Sequence, residues 1–335
     1  MSAMTRVKKD LGFLSRIALC HITGRRYPLS VTYIATYRCN FACRYCDVFT
    51  YKTREMTTSE ALSMIDEFAS IGARRFSFNG GEPLLRADIG ELVARCRQRG
   101  LFTTMFTNGS LVARNLRKIK DLDILSVSLD GPEDIHDAQR MKGSFGKVVE
   151  GIRAAKDAGV KVWTNTVLTS LNLARIDEVV ALAESLGVKM IFQPVIDYSH
   201  SSGSRNINGL KALDGDYARA IERLRDLKRR GAPIVHSDEY LDYIKVPVWS
   251  QNKRKCWAAQ LYCAVTPSGQ VAPCYPIFNA GDWPSGLDIG FGNAFLKNRT
   301  FSCDGCYCAL VETDFLYSFN VRAMLNLARS VEARS

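Results

Sequence analysis

The 335-residue sequence contains no long hydrophobic run and few histidines. No window of eighteen consecutive apolar residues occurs, so nothing in it predicts a membrane-spanning helix. The basic start of the chain is not followed by an unbroken apolar segment or a small-residue cleavage site. No secretory signal is therefore evident, and we expect a cytoplasmic protein. The four histidines show no metal-ligand spacing; they are His21, His136, His200 and His236.

Hydrophobic residues at 47% and charged residues at 24% are typical of soluble globular proteins and exclude disorder, collagen and coiled coil. The net charge of +11 would suit nucleic acid, anionic lipid or an acidic small molecule, and charge alone does not choose among them. Without a secretory signal, the eleven cysteines are not expected to form disulfides. Seven of them crowd into residues 39–46, residues 303–308 and the nearby Cys274, which indicates metal.

Strand and helix patterns alternate through most of the chain. The predicted strands are 31–35, 75–78, 101–106, 124–129, 161–168 and 189–195. The predicted helices are one between the capping box Thr57–Glu60 and Gly72, then 87–99, 111–120, 145–158, 173–186 and 215–230. Repeated βα units predict a parallel sheet, either doubly wound or curled into a barrel. Barrels place their chemistry at the carboxyl ends of the strands.

The pattern changes after the sixth strand. Residues 196–214, rich in Ser, Gly and Asn, predict a long loop, and from about 240 onward aromatics, Pro, Gly and Cys replace the helical period. We expect three units: an N-terminal extension over 1–30, a barrel over 31–240, and a small domain over 241–335. In the last unit, the final stretch 309–331 is expected to form a helix that packs back. The last unit has too few apolar runs for a large core, so metal is expected to hold it.

The first cysteine cluster is Cys39-x3-Cys43-x2-Cys46. Three thiolates on one short loop can bind three irons of a [4Fe–4S] cluster. No fourth cysteine lies nearby, so one iron would be open to a second molecule. A structural zinc site is the alternative, but it requires four closed ligands. Unliganded core cysteines are a further alternative.

With Tyr45 before the last cysteine, this cluster resembles the signature of the radical S-adenosylmethionine (SAM) superfamily. Three further stretches strengthen the resemblance, which covers roughly residues 31–235: Asn79–Leu85, Thr107–Gly109 and Ser126–Gly131. The resemblance implies a partial (β/α)6 barrel. It also implies that a [4Fe–4S] cluster receives an electron from a donor such as flavodoxin or ferredoxin and then cleaves SAM reductively. The resulting 5′-deoxyadenosyl radical then abstracts hydrogen from a substrate carbon.

The resemblance also implies a SAM site. The stretch Gly80-Gly81-Glu82 is similar to the family motif that holds the SAM amino group. By register, Ser128 and Asp130 suit ribose hydroxyls or a carboxylate, and Arg140 is either a partner of the SAM carboxylate or a surface arginine. We expect further contacts to SAM or substrate from Tyr45, Asn108, Asn165, Gln193, Asp197 and His200.

The second cysteine set resembles the SPASM and twitch domains of radical SAM enzymes. A predicted hairpin would bring Cys256 and Cys274 together, and Cys303-x2-Cys306 follows. Four such thiolates close either a second, auxiliary [4Fe–4S] cluster or a zinc. The downstream set is shorter than in a full SPASM domain, so we expect one auxiliary cluster, with the remaining thiols Cys263 and Cys308 as spares. This auxiliary cluster would either transfer electrons or only stabilise the domain.

Residues 5–26 form a basic amphipathic pattern. This segment either lies on the inner face of an anionic membrane or caps the end of a domain, and capping is favoured.

The sequence does not specify the substrate. We expect a small metabolite, sugar or lipid intermediate, and the alternative is a ribosomal-peptide maturase. The rival of another class is a non-enzymatic metal-binding module that holds nucleic acid. It leaves the Gly80–Glu82 and Ser128–Asp130 stretches unexplained, so no nucleic acid is expected.

Overall fold

The computed structural model describes residues 3–195, 209–212, 214–245, 255–298 and 310–325, with side chains from residue 12 onward. The strands are β1 Ser30–Thr36, β2 Arg75–Gly80, β3 Phe102–Thr107, β4 Ile124–Ser128, β5 Val162–Leu168, β6 Lys189–Pro194, β7 Tyr262–Val265 and β8 Val271–Ala272. The first helices are α1 Ala3–Thr23, α2 Thr58–Ile71, α3 Ile89–Gln98, α4 Leu116–Ile119, α5 Glu133–Gln139 and α6 Phe145–Asp157. They are followed by α7 Ile176–Ser185, α8 Asp214–Arg229, α9 Asp238–Lys245, α10 Gly286–Ile289, α11 Phe291–Lys297 and α12 Leu310–Tyr317.

The sheet has the order β6-β5-β4-β3-β2-β1-β7-β8, and its first six strands are all parallel. In the described chain β6 and β8 stand at opposite edges, so the sheet is open, and the expected α/β partial barrel is confirmed. The predicted hairpin is also present as β7 and β8. However, β7 pairs in parallel with β1, from Ser30 opposite Tyr262 to Tyr33 opposite Val265. The hairpin therefore extends the barrel sheet, and the boundary near residue 240 stays a prediction.

The two faces of the sheet are both apolar at their base, as the alternation of strand side chains requires. Tyr33 and Phe78 belong to the face that packs under the helices in the main core. Ile124, Trp163 and Ile191 form a second cluster on the opposite, concave face. The concave face becomes polar toward the carboxyl ends of the strands, and the candidate site lies there.

Three helical expectations need correction. The helix predicted over 111–120 is only α4, because the side-chain amide of Asn115 donates to the carbonyl of Leu111, which a continuous helix would use itself. Helices α5, α9, α10 and α11 were not predicted. The predicted helix over 309–331 is interrupted within the described residues at Phe319, whose φ of 55° is left-handed.

Helix α1 packs against the C-terminal part of the chain. Ile17 and Cys20 are buried with Trp257, Leu261 and Tyr317 in an apolar cluster separate from the main core. This contact agrees with the capping role expected for residues 5–26. The described residues include no helix that is both long enough and apolar enough to span a bilayer.

Replacing Ile17 with Ala should lower the free energy of unfolding by about 2–5 kcal/mol, because it leaves a cavity between α1 and the C-terminal part. The matched control is Leu14→Ala on the same helix, where the side chain is exposed and the change should stay within about 0.5 kcal/mol. Urea denaturation of the cluster-free protein measures both. Equal losses in the two variants would contradict the packing of α1 described above.

Candidate active site

The three cysteines of the first cluster lie on the loop that follows β1. Cys43 is buried, whereas Cys39 and Cys46 are partly exposed. The backbone N–H of Phe41 donates to the sulfur of Cys39 at 3.4 Å. Among the described residues, no three His, Cys, Asp or Glu side chains are placed to hold one metal ion. A [4Fe–4S] cluster does not require such convergence, because each thiolate binds a different iron.

Two glycines bring the end of β2 against this cysteine loop. Gly80 has a φ of 134°, and a Cβ on it would overlap the carbonyl oxygen of Thr36. A Cβ on Gly81 would overlap the carbonyl of Arg38 in the same way. The N–H groups of Gly81 and Glu82 donate to the carbonyls of Thr36 and Arg38, both at 2.8 Å. Both glycines therefore allow two stretches of the chain's own backbone to approach closely, and a contact of this stretch with SAM stays a prediction.

Glu82 is wholly buried between the ends of β2 and β3. The hydroxyl of Thr107 donates to both carboxylate oxygens, at 2.8 and 3.0 Å. The backbone N–H groups of Asn108 and Leu84 donate to it at 2.7 and 3.1 Å. Burial raises the pKa of Glu82 to about 7, against the opposing effect of these hydrogen bonds. In the structure this carboxylate joins two strand ends, and the expected contact of Glu82 with SAM stays a prediction.

Asn108 connects the carboxylate of Glu82 to the cysteine loop. Its side-chain amide donates to the side-chain oxygen of Asn40 at 2.8 Å and lies 3.9 Å from the sulfur of Cys39. Asn40 in turn donates to the hydroxyl of Ser110 at 2.9 Å. Asn40 and Thr107 were missed as functional residues. Thr107 stands inside the recognised stretch Thr107–Gly109 and Asn40 between Cys39 and Cys43, and that position was the available signal.

A second carboxylate, Asp130, anchors the other end of the loop. The hydroxyl of Tyr45 donates to it at 2.8 Å, and Arg140 donates through two nitrogens, at 2.7 and 3.1 Å. The backbone N–H of Val167 donates a further bond at 2.9 Å. Asp130 is fully buried and Arg140 nearly so. The backbone N–H of Arg44 also donates to the carbonyl of Gln139, next to Arg140.

These contacts decide between the two alternatives given for Arg140. It is not a surface arginine, because its guanidinium is buried and donates to Asp130. The oxygens of Asp130 accept four hydrogen bonds from the chain itself. A contact of either residue with SAM stays a prediction. His136, also missed, accepts from the N–H of Asp130 at 3.3 Å. Burial lowers the pKa of His136 to about 4, so it stays neutral. Its partner is a backbone amide, which no sequence pattern reveals.

Burial dominates the pKa of the three thiols, and Arg140 is one of the groups that oppose it. Burial raises the pKa of Cys43 to about 12 and raises the pKa of Cys39 and Cys46 as well. Arg140 lowers the pKa of all three, and thus favours the thiolate at each. Thiolates are the form that iron binds, so the donor set fits a cluster whose binding displaces protons.

The concave face beside this loop carries buried polar atoms. The hydroxyl of Ser126 and the side-chain oxygen of Asn165 are buried without a hydrogen-bond partner among the described residues. Ser128 lies opposite Asn165 in the register of β4 and β5, and Gln193 continues the same rim on β6. Buried polar atoms are normally paired, so a ligand against this face would satisfy them.

The second cysteine set is only partly described. Cys256 and Cys274 both border the apolar cluster that includes Trp257 and Tyr262, and the hydroxyl of Tyr262 lies 3.4 Å from the sulfur of Cys256. The spare Cys263 is buried in the main core. Other predicted residues lie outside the described part of the chain: Asp197, His200, Cys303, Cys306 and Cys308.

The model of the Radical SAM superfamily matches residues 33–184. The chain is 29% identical over 246 residues to Fe-coproporphyrin III synthase of Methanosarcina barkeri, which covers 69% of this chain and 61% of that protein. It is 26% identical to PqqA peptide cyclase of Rhizobium meliloti, over 74% of this chain and 68% of that one. The match to the synthase thus leaves more than a third of that relative unmatched.

Two solved structures share the fold. The enzyme anSMEcpe with bound AdoMet matches with a TM-score of 0.66 at 19% identity and covers 81% of each chain. Streptococcus suis SuiB bound to S-adenosylmethionine matches with a TM-score of 0.66 at 17% identity, over 89% of this chain and 77% of that one. At these identities the likeness shows the fold alone.

Replacing Glu82 with Gln should change how stability depends on pH. The carboxyl has a pKa of about 7 when folded and an ordinary one when unfolded, so between these values the folded protein binds more protons. Its contribution is complete at low pH and is lost as the pH rises through 7. The free energy of unfolding of the wild type, minus that of the variant, should fall by up to about 3 kcal/mol between pH 5 and 8.

Urea denaturation of the cluster-free proteins at four pH values measures this difference. The matched control is Asp137→Asn, since hydrogen bonds from Gly143, Phe145 and Ser144 outweigh burial and lower the pKa of Asp137. Its difference from wild type should stay constant over the same range. A constant difference for Glu82→Gln as well would contradict the burial of this carboxyl.

Proposed function

We propose that this chain, an enzyme of the radical SAM superfamily, holds a [4Fe–4S] cluster on Cys39, Cys43 and Cys46 and cleaves SAM there to abstract hydrogen from a substrate carbon. One observation carries the proposal. The three thiols stand on a single loop that is bonded to the ends of β2, β3 and β4 and to α5, at the edge of the sheet where barrel enzymes place their chemistry.

When bound, the cluster and SAM supply the electron and the 5′-deoxyadenosyl radical of the reaction. The chain's own residues orient and shield these groups. Glu82 and Asp130 hold the loop, and Arg140 favours the thiolate form of its cysteines. We assign Ser128, Asn165 and the backbone at Gly80 and Gly81 to SAM, because the unsatisfied oxygen of Asn165 faces the concave side beside the loop.

An auxiliary [4Fe–4S] cluster is the second part of the proposal, with Cys256, Cys274, Cys303 and Cys306 as ligands. The common position of Cys256 and Cys274 at the border of one apolar cluster supports it. If bound there, such a cluster would accept the electron that a substrate radical gives up as it loses a proton and becomes a closed-shell product. The alternative is that it would only stabilise this part of the chain.

The names of the two relatives support two different candidate classes of substrate. The likeness to Fe-coproporphyrin III synthase supports a small metabolite, in line with the expectation from sequence. The likeness to PqqA peptide cyclase supports a precursor peptide as the second candidate. For either class of substrate, we propose a cytoplasmic enzyme that receives its electron from flavodoxin or ferredoxin.

Replacing Cys39, Cys43 and Cys46 together with Ala should abolish the formation of 5′-deoxyadenosine, because no thiolates remain to hold the catalytic cluster. After anaerobic reconstitution, the wild type should hold about eight irons per chain and the triple variant about four. The matched control is the double variant Cys256→Ala/Cys274→Ala. It should also hold about four irons but still cleave SAM under dithionite.

Iron analysis and chromatographic detection of 5′-deoxyadenosine give both readouts. Continued SAM cleavage by the triple variant would contradict the assignment of the catalytic ligands. About four irons in the wild type would contradict the auxiliary cluster alone. Zinc in place of iron, with no cleavage and salt-sensitive binding to nucleic acid, would favour the rival class.

A further inference from the structure

The exposed large apolar side chains of the described residues are confined to three short segments. They are Leu14, Leu19, Ile22, Leu296, Phe319, Val321 and Leu325, which we call the apolar patch. Ile22 is 81% exposed and Val321 is 65% exposed. Single exposed apolar residues scattered over a surface are ordinary, but their restriction to one part of a surface indicates an interaction site.

Contacts join the three segments. The ring of His21 lies 5.2 Å from that of Phe319, and its Nε2 atom is 2.8 Å from the carbonyl oxygen of Tyr317. The guanidinium of Arg26, just beyond α1, donates to the carbonyl of Leu296. The end of α1 therefore lies beside both C-terminal segments, and the apolar patch is one surface.

Helix α1 has a second apolar stripe that the fold does not use. Its inner stripe contains Ile17 and Cys20 and packs against the C-terminal part. The outer stripe, Leu14, Ala18 and Ile22, follows the same helical spacing but is turned away from that cluster. In the sequence, Met4, Val7 and Leu11 continue the outer spacing toward the start of α1. The fold explains the inner stripe, whereas nothing in the described part of the chain covers Leu14 and Ile22 of the outer one.

Within the described segments that form the apolar patch, the exposed charges are all positive. Exposed cations stand in or next to its segments: Arg25, Lys255, Lys297 and Arg322. Residues 12–26, 255–261, 291–298 and 310–325 contain only two carboxylates, and neither is exposed. Glu312 contacts His236 at 3.4 Å, and Asp314 accepts from the N–H of Trp257 at 3.0 Å.

We propose that the apolar patch docks on the surface of an anionic lipid membrane, with the outer stripe of α1 lying in the plane of the headgroups. Apolar side chains would enter the boundary between headgroups and acyl chains, while the exposed cations of these segments would contact lipid phosphates. A second copy of the chain fits less well, because it would bring two cationic surfaces together. This inference stands apart from the proposed chemistry and is tested without cofactors.

The test is co-sedimentation of the cluster-free full chain with vesicles of phosphatidylcholine alone or mixed with phosphatidylglycerol. The wild type should bind the mixed vesicles and not the neutral ones, and binding should weaken as salt rises. The double variant Ile22→Asp/Val321→Asp should bind at least about tenfold more weakly, since two apolar side chains no longer enter the membrane.

The matched control is Arg229→Glu on α8, outside the apolar patch, which changes the net charge by the same two units and should leave binding within about twofold of wild type. Circular dichroism checks that each variant is folded. Absence of wild-type binding, equal weakening by the control, or equal binding to neutral vesicles would each overturn the proposal. So would a wild-type dimer that the double variant dissociates, without binding to vesicles.

Discussion

The position of the cysteine loop depends on Asp130. Its buried carboxylate accepts hydrogen bonds from Tyr45 on the loop, from Arg140 beyond α5 and from the backbone of β5. A buried carboxylate costs several kcal/mol to desolvate, and it persists because paired donors surround it. Loss of Arg140 would leave this charge buried without its cationic partner. The hydrogen bond from Tyr45 ties the loop, between Cys43 and Cys46, to this ion pair.

Glu82 performs the matching task at the other end of the loop with a different balance of energies. It has four hydrogen bonds but no cationic partner, and its pKa is raised to about 7, whereas Asp130 is paired with Arg140. The glycines Gly80 and Gly81 make this brace possible, since any side chain there would push the loop away from β2. Asp130 thus holds the loop as one half of an ion pair, whereas Glu82 acts through hydrogen bonds without a cationic partner. Between them, Cys39, Cys43 and Cys46 are oriented before any metal arrives.

Sequence patterns predicted the features that depend on local periodicity. The alternation of strands and helices predicted the parallel sheet, and the capping box at Thr57 is present in the structure with both of its hydrogen bonds. Partners distant in sequence were not predictable. Arg140 is ten residues from Asp130, and only the fold of α5 shows that the two form an ion pair. Likewise, nothing local to Tyr262–Val265 indicates that this strand joins β1 rather than a sheet of its own.

The proposed catalytic cluster has one iron free to bind SAM, because the loop offers only three thiols. Electron paramagnetic resonance of the dithionite-reduced Cys256→Ala/Cys274→Ala variant tests it most directly, because the auxiliary signal is then absent. We expect the spectrum of a reduced [4Fe–4S] cluster that changes when SAM is added. A spectrum that SAM leaves unchanged would contradict the claim.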